Sequence, residues 1–414
     1  MKWPTVKIDA IKAATRYSLV GGPFGSNLTT RDYVEQGVPV IRGSNLPDDR
    51  EFSTDDCVFV SAEKANALQS NTAYPGDLVF TQRGTLGQIG LIPMNSPFPR
   101  YIISQSQMKL TVDESKADAR FVYYFFRSPA TVQHILNHVS SSGVPHINLG
   151  VLKETEIPLP PIEVQRRIAE TLTGYDELLA NNSRRMALLE EAARRLYREW
   201  FIHLRAPGLR RTAGGLPRGW TQQALAQIAE VNARTLPGKH EGEIEYVDIS
   251  AVTPGVIHET SRVRFADAPS RARRIVRDGD IIWSCVRPNR RSHALILNPP
   301  ENLIVSTGFA VLTPHAVPSS YLYHATTTDE FAGYLENRAR GAAYPAVTAR
   351  DFEEAEIVVP PRATLDAFDE VVAPVFRQRH VLHRQNAALR AARDLLLPRL
   401  MSGELEIPAK WLAA

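Results

Sequence analysis

Two short stretches hold side chains suited to reading flat, hydrogen-bonding surfaces: Gln82-Arg-Gly-Thr-Leu-Gly87 and Cys285-Val-Arg-Pro-Asn-Arg-Arg291. Arginine offers a planar fork of donors, and asparagine or glutamine offers a donor beside an acceptor. These groups match guanine and adenine edges in a DNA groove, and arginine also grips phosphate. With neighbouring polar residues, the candidates in the first half are Arg42, Ser44, Asn45, Gln82, Arg83, Thr85, Gln105 and Gln107. In the second half they are Arg287, Asn289, Arg290, Arg291, Ser292 and Thr307. Net charge is only +3, yet Arg262 to Arg291 holds nine arginines against Asp267, Asp278 and Asp280. A local positive excess is what a DNA-facing surface requires; a solvated basic face is the plain alternative.

No catalytic constellation accompanies these residues. There is no phosphate-binding Gly-x-x-x-x-Gly-Lys-Ser/Thr loop. Gly21-Gly-Pro-Phe-Gly-Ser26 is glycine-rich but lacks the lysine, and reads as a turn. The 11 histidines form no His-Glu-x-x-His, and Asp48, Asp49 and Asp77 lack the Glu-x-Lys of a metal-dependent nuclease. Asn298-Pro-Pro-Glu301 has a glutamate where a base-flipping methyltransferase needs an aromatic ring, so it reads as a surface turn. Cys57 and Cys285 have no neighbour at metal-ligand spacing and read as small residues packed in strands. No apolar run predicts a membrane span or a secretory signal. The expectation is a cytoplasmic, metal-free protein.

The elements that must position the candidates come in two copies. Gly143-Val-Pro-His-Ile and Glu156-Ile-Pro-Leu-Pro-Pro161 recur, 200 residues on and without a gap, as Ala343-Tyr-Pro-Ala-Val and Glu356-Ile-Val-Val-Pro-Pro361. Each copy then enters a long helical pattern. A chain of 414 residues predicts two to three domains. The boundaries expected are a first mixed α/β domain at 1–158, a long helix at 159–206, a linker at 207–219, a second domain at 220–357 and a C-terminal helix at 358–408. Strand patterns at 38–42, 77–81, 89–92 and 101–104 are matched in the second copy at 245–249, 279–283 and 303–306. Helical spacing at 121–139 is matched at 321–337.

In the first long helix, Ile168, Leu172, Tyr175, Leu179, Asn182, Met186, Leu189, Ala193, Leu196 and Trp200 step alternately by four and three, which is a coiled-coil seam. From 162 to 203 this helix would be roughly 63 Å long at ~1.5 Å per residue. In the second, Phe368, Val372, Val375, Leu382, Leu389, Leu396 and Leu400 hold a seam that Arg379, Asn386 and Arg393 interrupt. Pro374 is expected to kink or split it, and Pro398 to bend its last turn. The simplest cover for each seam is the other helix, packed antiparallel; an intermolecular coiled coil is the alternative.

These pieces resemble the specificity subunit of type I restriction-modification enzymes. Gly21-Gly-Pro-Phe-Gly-Ser-Asn27 with Gly37-Val-Pro-Val-Ile41 is similar to the opening of a target-recognition domain. Ile157-Pro-Leu-Pro-Pro161 with Gln165-Arg-Arg-Ile-Ala169 resembles the lead-in to the central helix, and Gly215-Leu-Pro-Arg-Gly-Trp220 the start of a second recognition domain. Leu395-Leu-Leu-Pro-Arg-Leu-Met-Ser-Gly-Glu-Leu405 resembles the family's C-terminal end. Arg362-Ala-Thr-Leu365 departs from the pattern, lacking the glutamine that usually follows the second Pro-Pro.

The resemblance implies an α/β (α+β) fold with two globular target-recognition domains related by pseudo-twofold symmetry and separated by two long antiparallel coiled-coil helices. It implies a non-catalytic subunit that binds double-stranded DNA at an asymmetric bipartite site. Partners would be two methylating (M) subunits using S-adenosylmethionine and two ATP/Mg-driven restriction/translocase (R) subunits, with no cofactor in this chain. A related system with a fused nuclease-methyltransferase partner, and a coiled-coil scaffold, remain as alternative readings.

Overall fold

The computed structural model describes residues 3–138, 146–209 and 215–405. Gly143-Val-Pro145 of the repeat, part of the 207–219 linker and the end of the 358–408 segment lie outside these residues. The chain divides into two units, one of residues 1–183 with 384–414 and one of 184–383. Each holds a globular part and a stretch of both long helices.

In the first unit, a four-stranded antiparallel sheet runs in the order Leu19–Gly21, Gln107–Leu110, Leu78–Thr81, Ile89–Leu91. A five-stranded sheet contains the parallel pair Val38–Ile41 and Tyr101–Ile103. Strand Leu78–Thr81 is buried along its whole length. Its alternation divides two cores: Leu78 and Phe80 pack with Phe121, Tyr124 and the long-helix residues Ile168, Leu172 and Leu400, whereas Val79 packs with Ile41, Tyr101 and Ile103 of the second sheet. The second unit repeats the device on strand Ile281–Ser284. Ile281 and Trp283 join Tyr321, Phe352 and Phe368, and Ile282 joins Val247, Val305 and Phe309. There the parallel pair is Glu243–Val247 with Leu303–Ser306.

The helical patterns at 121–139 and 321–337 are each split in two. Ser128 caps Pro129–Asn137 by accepting from the Thr131 N–H, and Thr328 caps the counterpart helix, Asp329–Arg338, by accepting from the Phe331 N–H. A capping hydroxyl satisfies the first free N–H groups and so favours a new start over continuation.

The central helix runs Ile162–Tyr197 and continues as one π turn, Arg198–Ile202. The wider turn brings Phe201, which the heptad spacing leaves off the seam, into the ring cluster of Tyr197, Tyr321 and Phe368. The C-terminal helix runs unbroken from Arg362 to Ser402, so neither Pro374 nor Pro398 ends or splits it. Both prolines are exposed, as are Glu370 and Asp394 four residues earlier. Water can therefore satisfy the carbonyl each proline leaves free, while the buried Val372, Phe376, Leu397 and Leu400 hold the helix on the core.

The seam residues are covered within each unit. Ile168, Leu172, Leu179 and Leu382 are buried; Tyr175, Met186, Leu189, Leu196, Trp200, Val375, Leu389 and Leu396 are half-buried. The polar interruptions prove to be cross-helix partners. Asn182 Nδ2 donates to Asn386 Oδ1 at 2.9 Å and Arg393 pairs with Asp176 in the first unit, and Arg379 pairs with Glu190 in the second. The helix stretches run antiparallel in each unit. Asp176 also accepts from the Tyr124 hydroxyl at 2.8 Å, tying helix to domain.

Gln165 explains one departure between the copies. Fully buried, it accepts from the Asp118 N–H at 3.0 Å and donates to the Pro160 carbonyl at 2.8 Å. The second copy has Leu365 at this place, packed in the apolar core, and Ser320 Oγ donating to Asp369 at 2.6 Å supplies a polar link instead.

Two histidines in the second unit are buried neutral. His324 stacks between Tyr197 and Phe376, and burial, reinforced by Arg379, pushes its pKa down to about 3. Burial with Arg291 nearby lowers His293 to about 4. The unfolded chain binds protons at these sites below its ordinary value of about 6.5, and the folded chain does not. Stability is therefore expected to fall as pH drops from about 6.5 towards 4, by ~1.4 kcal/mol per pH unit for each histidine. Denaturant midpoints measured across this range should show the slope, and His324→Phe should flatten it.

Candidate nucleic-acid interface

In the first unit the Gly21–Gly25 loop, Gln82, Arg83, Gln105 and residues 146–150 line one cleft of about 480 Å³. Strand ends place them together. Leu19–Gly21 and Leu78–Thr81 both pair with Gln107–Leu110, and Arg83 bridges to His146. The glutamines are already engaged. Gln82 Nε2 donates to the Gln105 carbonyl at 2.6 Å, and Gln105 Nε2 donates to the carbonyls of Gly25 and Leu28. Matching adenine takes a donor and an acceptor from one amide; Gln105, with both N–H groups committed, cannot present the pair as folded, whereas Gln82 has one N–H committed. Arg83 and Thr85 are exposed, and no ion pair involves Arg83 among the described residues. Gly84 between them has φ +99°, a conformation open to glycine, and its α-carbon faces open space.

Three expected readers in the two halves are corrected by burial. Asn45 is fully buried, accepts from the Arg42 N–H and donates to the carbonyls of Ser53 and Asp55. Gln107 is also fully buried and accepts from the Ser104 hydroxyl. Ser292 is buried beside strand His293–Leu295. A short polar side chain next to a tight turn satisfies backbone groups, and sequence does not separate that role from base reading. Arg42 is half-buried and donates to the Asp56 carbonyl at 2.6 Å; Ser44 is exposed.

In the second unit Pro288–Arg290 forms a tight turn flanked by Arg287 and Arg291, both with φ of +52°. The Arg287 guanidinium lies over the Tyr344 ring, 4.6 Å from its centre, and Arg291 pairs with Asp329. Asn289 and Arg290 are exposed, as is Thr307, whose loop meets this one where the Cys285 N–H donates to the Gly308 carbonyl. The arginine excess is smaller than the 262–291 stretch implies. Arg262, Arg271 and Arg291 pair with Glu243, Asp248 and Asp329, acids from outside it, and Arg264 pairs with Asp267. Arg273, Arg274, Arg277, Arg287 and Arg290 have no carboxylate partner among the described residues.

Cys57 and Cys285 are half-buried and sit just outside strands, and burial pushes the Cys285 thiol up to about 11. Asn298, with φ +45°, is held in a turn by the Asp278 carboxylate accepting its N–H. Among the described residues no cluster of acids, histidines and cysteines could hold a metal, and no helix is long and apolar enough to cross a membrane.

Residues 28–191 match the family described as type I restriction modification DNA specificity domain. The type I restriction enzyme MjaIX specificity subunit of Methanocaldococcus jannaschii is 22% identical over 358 residues, covering 83% of this chain and 81% of that protein. The chain thus carries a type I DNA specificity domain over residues 28–191 and is similar over most of its length to a type I specificity subunit. Over a shorter region, 28% of this chain and 23% of the relative, the chain is 33% identical to the type I restriction enzyme EcoBI specificity subunit of Escherichia coli. The crystal structure of a type I restriction-modification system S subunit from M. genitalium shares the fold, with a TM-score of 0.61 at 17% identity, covering 99% of this chain and 97% of that one.

Two aromatic residues at these surfaces were not among the expected readers. Phe24 lines the first cleft and is 86% exposed, and Tyr344 carries the Arg287 stack and is 68% exposed. The available signal was a large ring placed beside Gly or Pro in a turn sequence, Pro23-Phe-Gly25 and Tyr344-Pro345.

Proposed function

We propose that this chain is a specificity subunit that recognises an asymmetric, bipartite site on double-stranded DNA, each unit reading one half. The observation that carries this reading is one frame with two different sets of loops. Corresponding strand ends present Gln82-Arg-Gly-Thr-Leu-Gly87 in one unit and Cys285-Val-Arg-Pro-Asn-Arg-Arg291 in the other. Arg83 and Thr85 are the leading first-unit readers, with exposed Ser44 as a further candidate. Asn289, Arg290 and Thr307 lead in the second, with Arg287 oriented by Tyr344. The partners are two methylating subunits, which bring S-adenosylmethionine, and two restriction subunits, which bring ATP and magnesium; this chain needs no cofactor and does no chemistry.

The test is co-expression with the cognate methylating subunit in a methylation-free host, followed by single-molecule detection of modified bases. A two-part motif with unlike halves and a fixed gap is expected; a single continuous motif would overturn the bipartite reading. Arg290→Ala is expected to weaken cognate binding by the assembled methyltransferase about 5- to 150-fold, the equivalent of ~1–3 kcal/mol for a bidentate base contact. Equal loss on all sequences with a shallower salt dependence would assign Arg290 to phosphate instead.

A further inference from the structure

We propose that Phe24 is a wedge that inserts at a base step of the half-site read by the first unit. The proposal rests on the DNA-recognition reading above and adds a residue and a mode of contact to it. An exposed phenylalanine alone means little, because apolar atoms make up much of any protein surface. What distinguishes Phe24 is how it is held.

The loop that carries it is fixed at several points. A Cβ on Gly22 would lie 1.9 Å from the Ser104 carbonyl oxygen, so the loop is pressed against the neighbouring turn as closely as glycine allows. The Gly22 N–H donates to the Gln107 carbonyl at 2.8 Å, and Asn71 Nδ2 donates to the Gly21 carbonyl at 2.8 Å. On the far side the Gln105 amide bridges the carbonyls of Gly25 and Leu28. Gly25 sits at φ +54° with no atom within 4 Å of where a Cβ would stand, which leaves backbone clearance beside the ring.

The loop therefore projects an aromatic ring from a narrow, pre-ordered backbone at the mouth of the cleft that also holds Arg83. A rigid apolar side chain in the same cleft as a guanidinium that has no ion-pair partner among the described residues suits a partner that is polyanionic outside and stacked inside. Apolar wedges of this kind unstack a base step, and the resulting bend admits more contacts. The step opened should be one that unstacks easily, a pyrimidine–purine step. In the second unit the corresponding loop, Asn232-Ala-Arg-Thr-Leu236, has no aromatic. It is instead folded back, with Arg234 paired to Asp280. The wedge is accordingly assigned to one half-site only.

The test uses the assembled methyltransferase with duplexes carrying 2-aminopurine at successive positions of the recognised site, leaving aside the base that is methylated. The wild-type complex is expected to raise fluorescence several-fold at one step in one half-site. Phe24→Ala is expected to abolish that rise and weaken cognate binding about tenfold while leaving non-specific binding and thermal stability unchanged, and Phe24→Leu is expected to retain part of both. No responsive step with the wild-type complex, or an unaltered signal with Phe24→Ala, overturns the proposal. So does failure of Phe24→Ala to assemble with the methylating subunits, which would make Phe24 a protein contact. Absence of any cognate site for the wild-type complex would instead overturn the DNA-recognition reading, and it is visible without the variants.

Discussion

Leu382→Asp is expected to unfold the helical pair of the second unit and to prevent assembly with the methylating subunits. Leu382 is 1% exposed on the C-terminal helix. Losing a buried leucine side chain costs about 2–5 kcal/mol, and an unpaired carboxylate in its place adds several more or is neutralised at comparable cost. Against a domain stability of roughly 5–15 kcal/mol, the sum removes most of what holds the unit folded. Circular-dichroism melts and size-exclusion of the co-expressed complex measure the two consequences. Leu188→Asp is the matched control, since Leu188 lies on the central helix but is 64% exposed. Leu189→Asp should fall between them because Leu189 is only partly covered. Wild-type melting and assembly by Leu382→Asp would remove the seam from the structure.

The seam was legible because its signal is periodic and local: a run of apolar residues at alternating steps of four and three specifies which face is buried whatever the partner is. The three polar interruptions were not legible as partners. Arg379 and Arg393 look like defects along one helix, and become contacts only when Glu190 and Asp176 arrive from the other. The strands at 78–81, 281–284 and 303–306 could be read for the same local reason, whereas the breaks at Ser128 and Thr328 turn on a hydroxyl choosing to cap. The site was the least legible part. Asn45 and Gln107 carry base-reading chemistry, and the fold keeps it inside the domain, Asn45 on backbone groups and Gln107 on the Ser104 hydroxyl; Phe24 carries none of the donors sought, and the fold leaves it exposed. Residue type states what a group can do, and burial decides to whom it does it.

Lys109→Met is expected to cost the first unit about 3–5 kcal/mol, the range for breaking a buried ion pair from one side. Lys109 Nζ lies 3.0 Å from Asp77 Oδ2, with both side chains almost wholly buried. Asp77 also accepts from the Thr111 hydroxyl at 2.5 Å and the Tyr74 N–H at 2.9 Å, so it is held in place and cannot turn to water when the lysine is removed. The second unit keeps the carboxylate and changes the cation: Asp280 pairs at 2.7 Å with Arg234, which comes from the loop after Ala229–Val231 and also donates to Thr313. The two aspartates stand at matching places, Gly76-Asp77 and Gly279-Asp280, each ahead of the strand that divides two cores. A buried carboxylate neutralised by a cation from a different element in each unit argues that charge balance is what the place requires, and that any cation able to reach it will serve. It follows that Lys109→Met should be rescued by Asp77→Leu in the same chain, because replacing both members of a buried pair with apolar groups is often neutral. Urea unfolding of the single and double variants measures this directly. A double variant no more stable than Lys109→Met would mean that the Tyr74 and Thr111 bonds to Asp77, and not its charge balance, are what the strand requires.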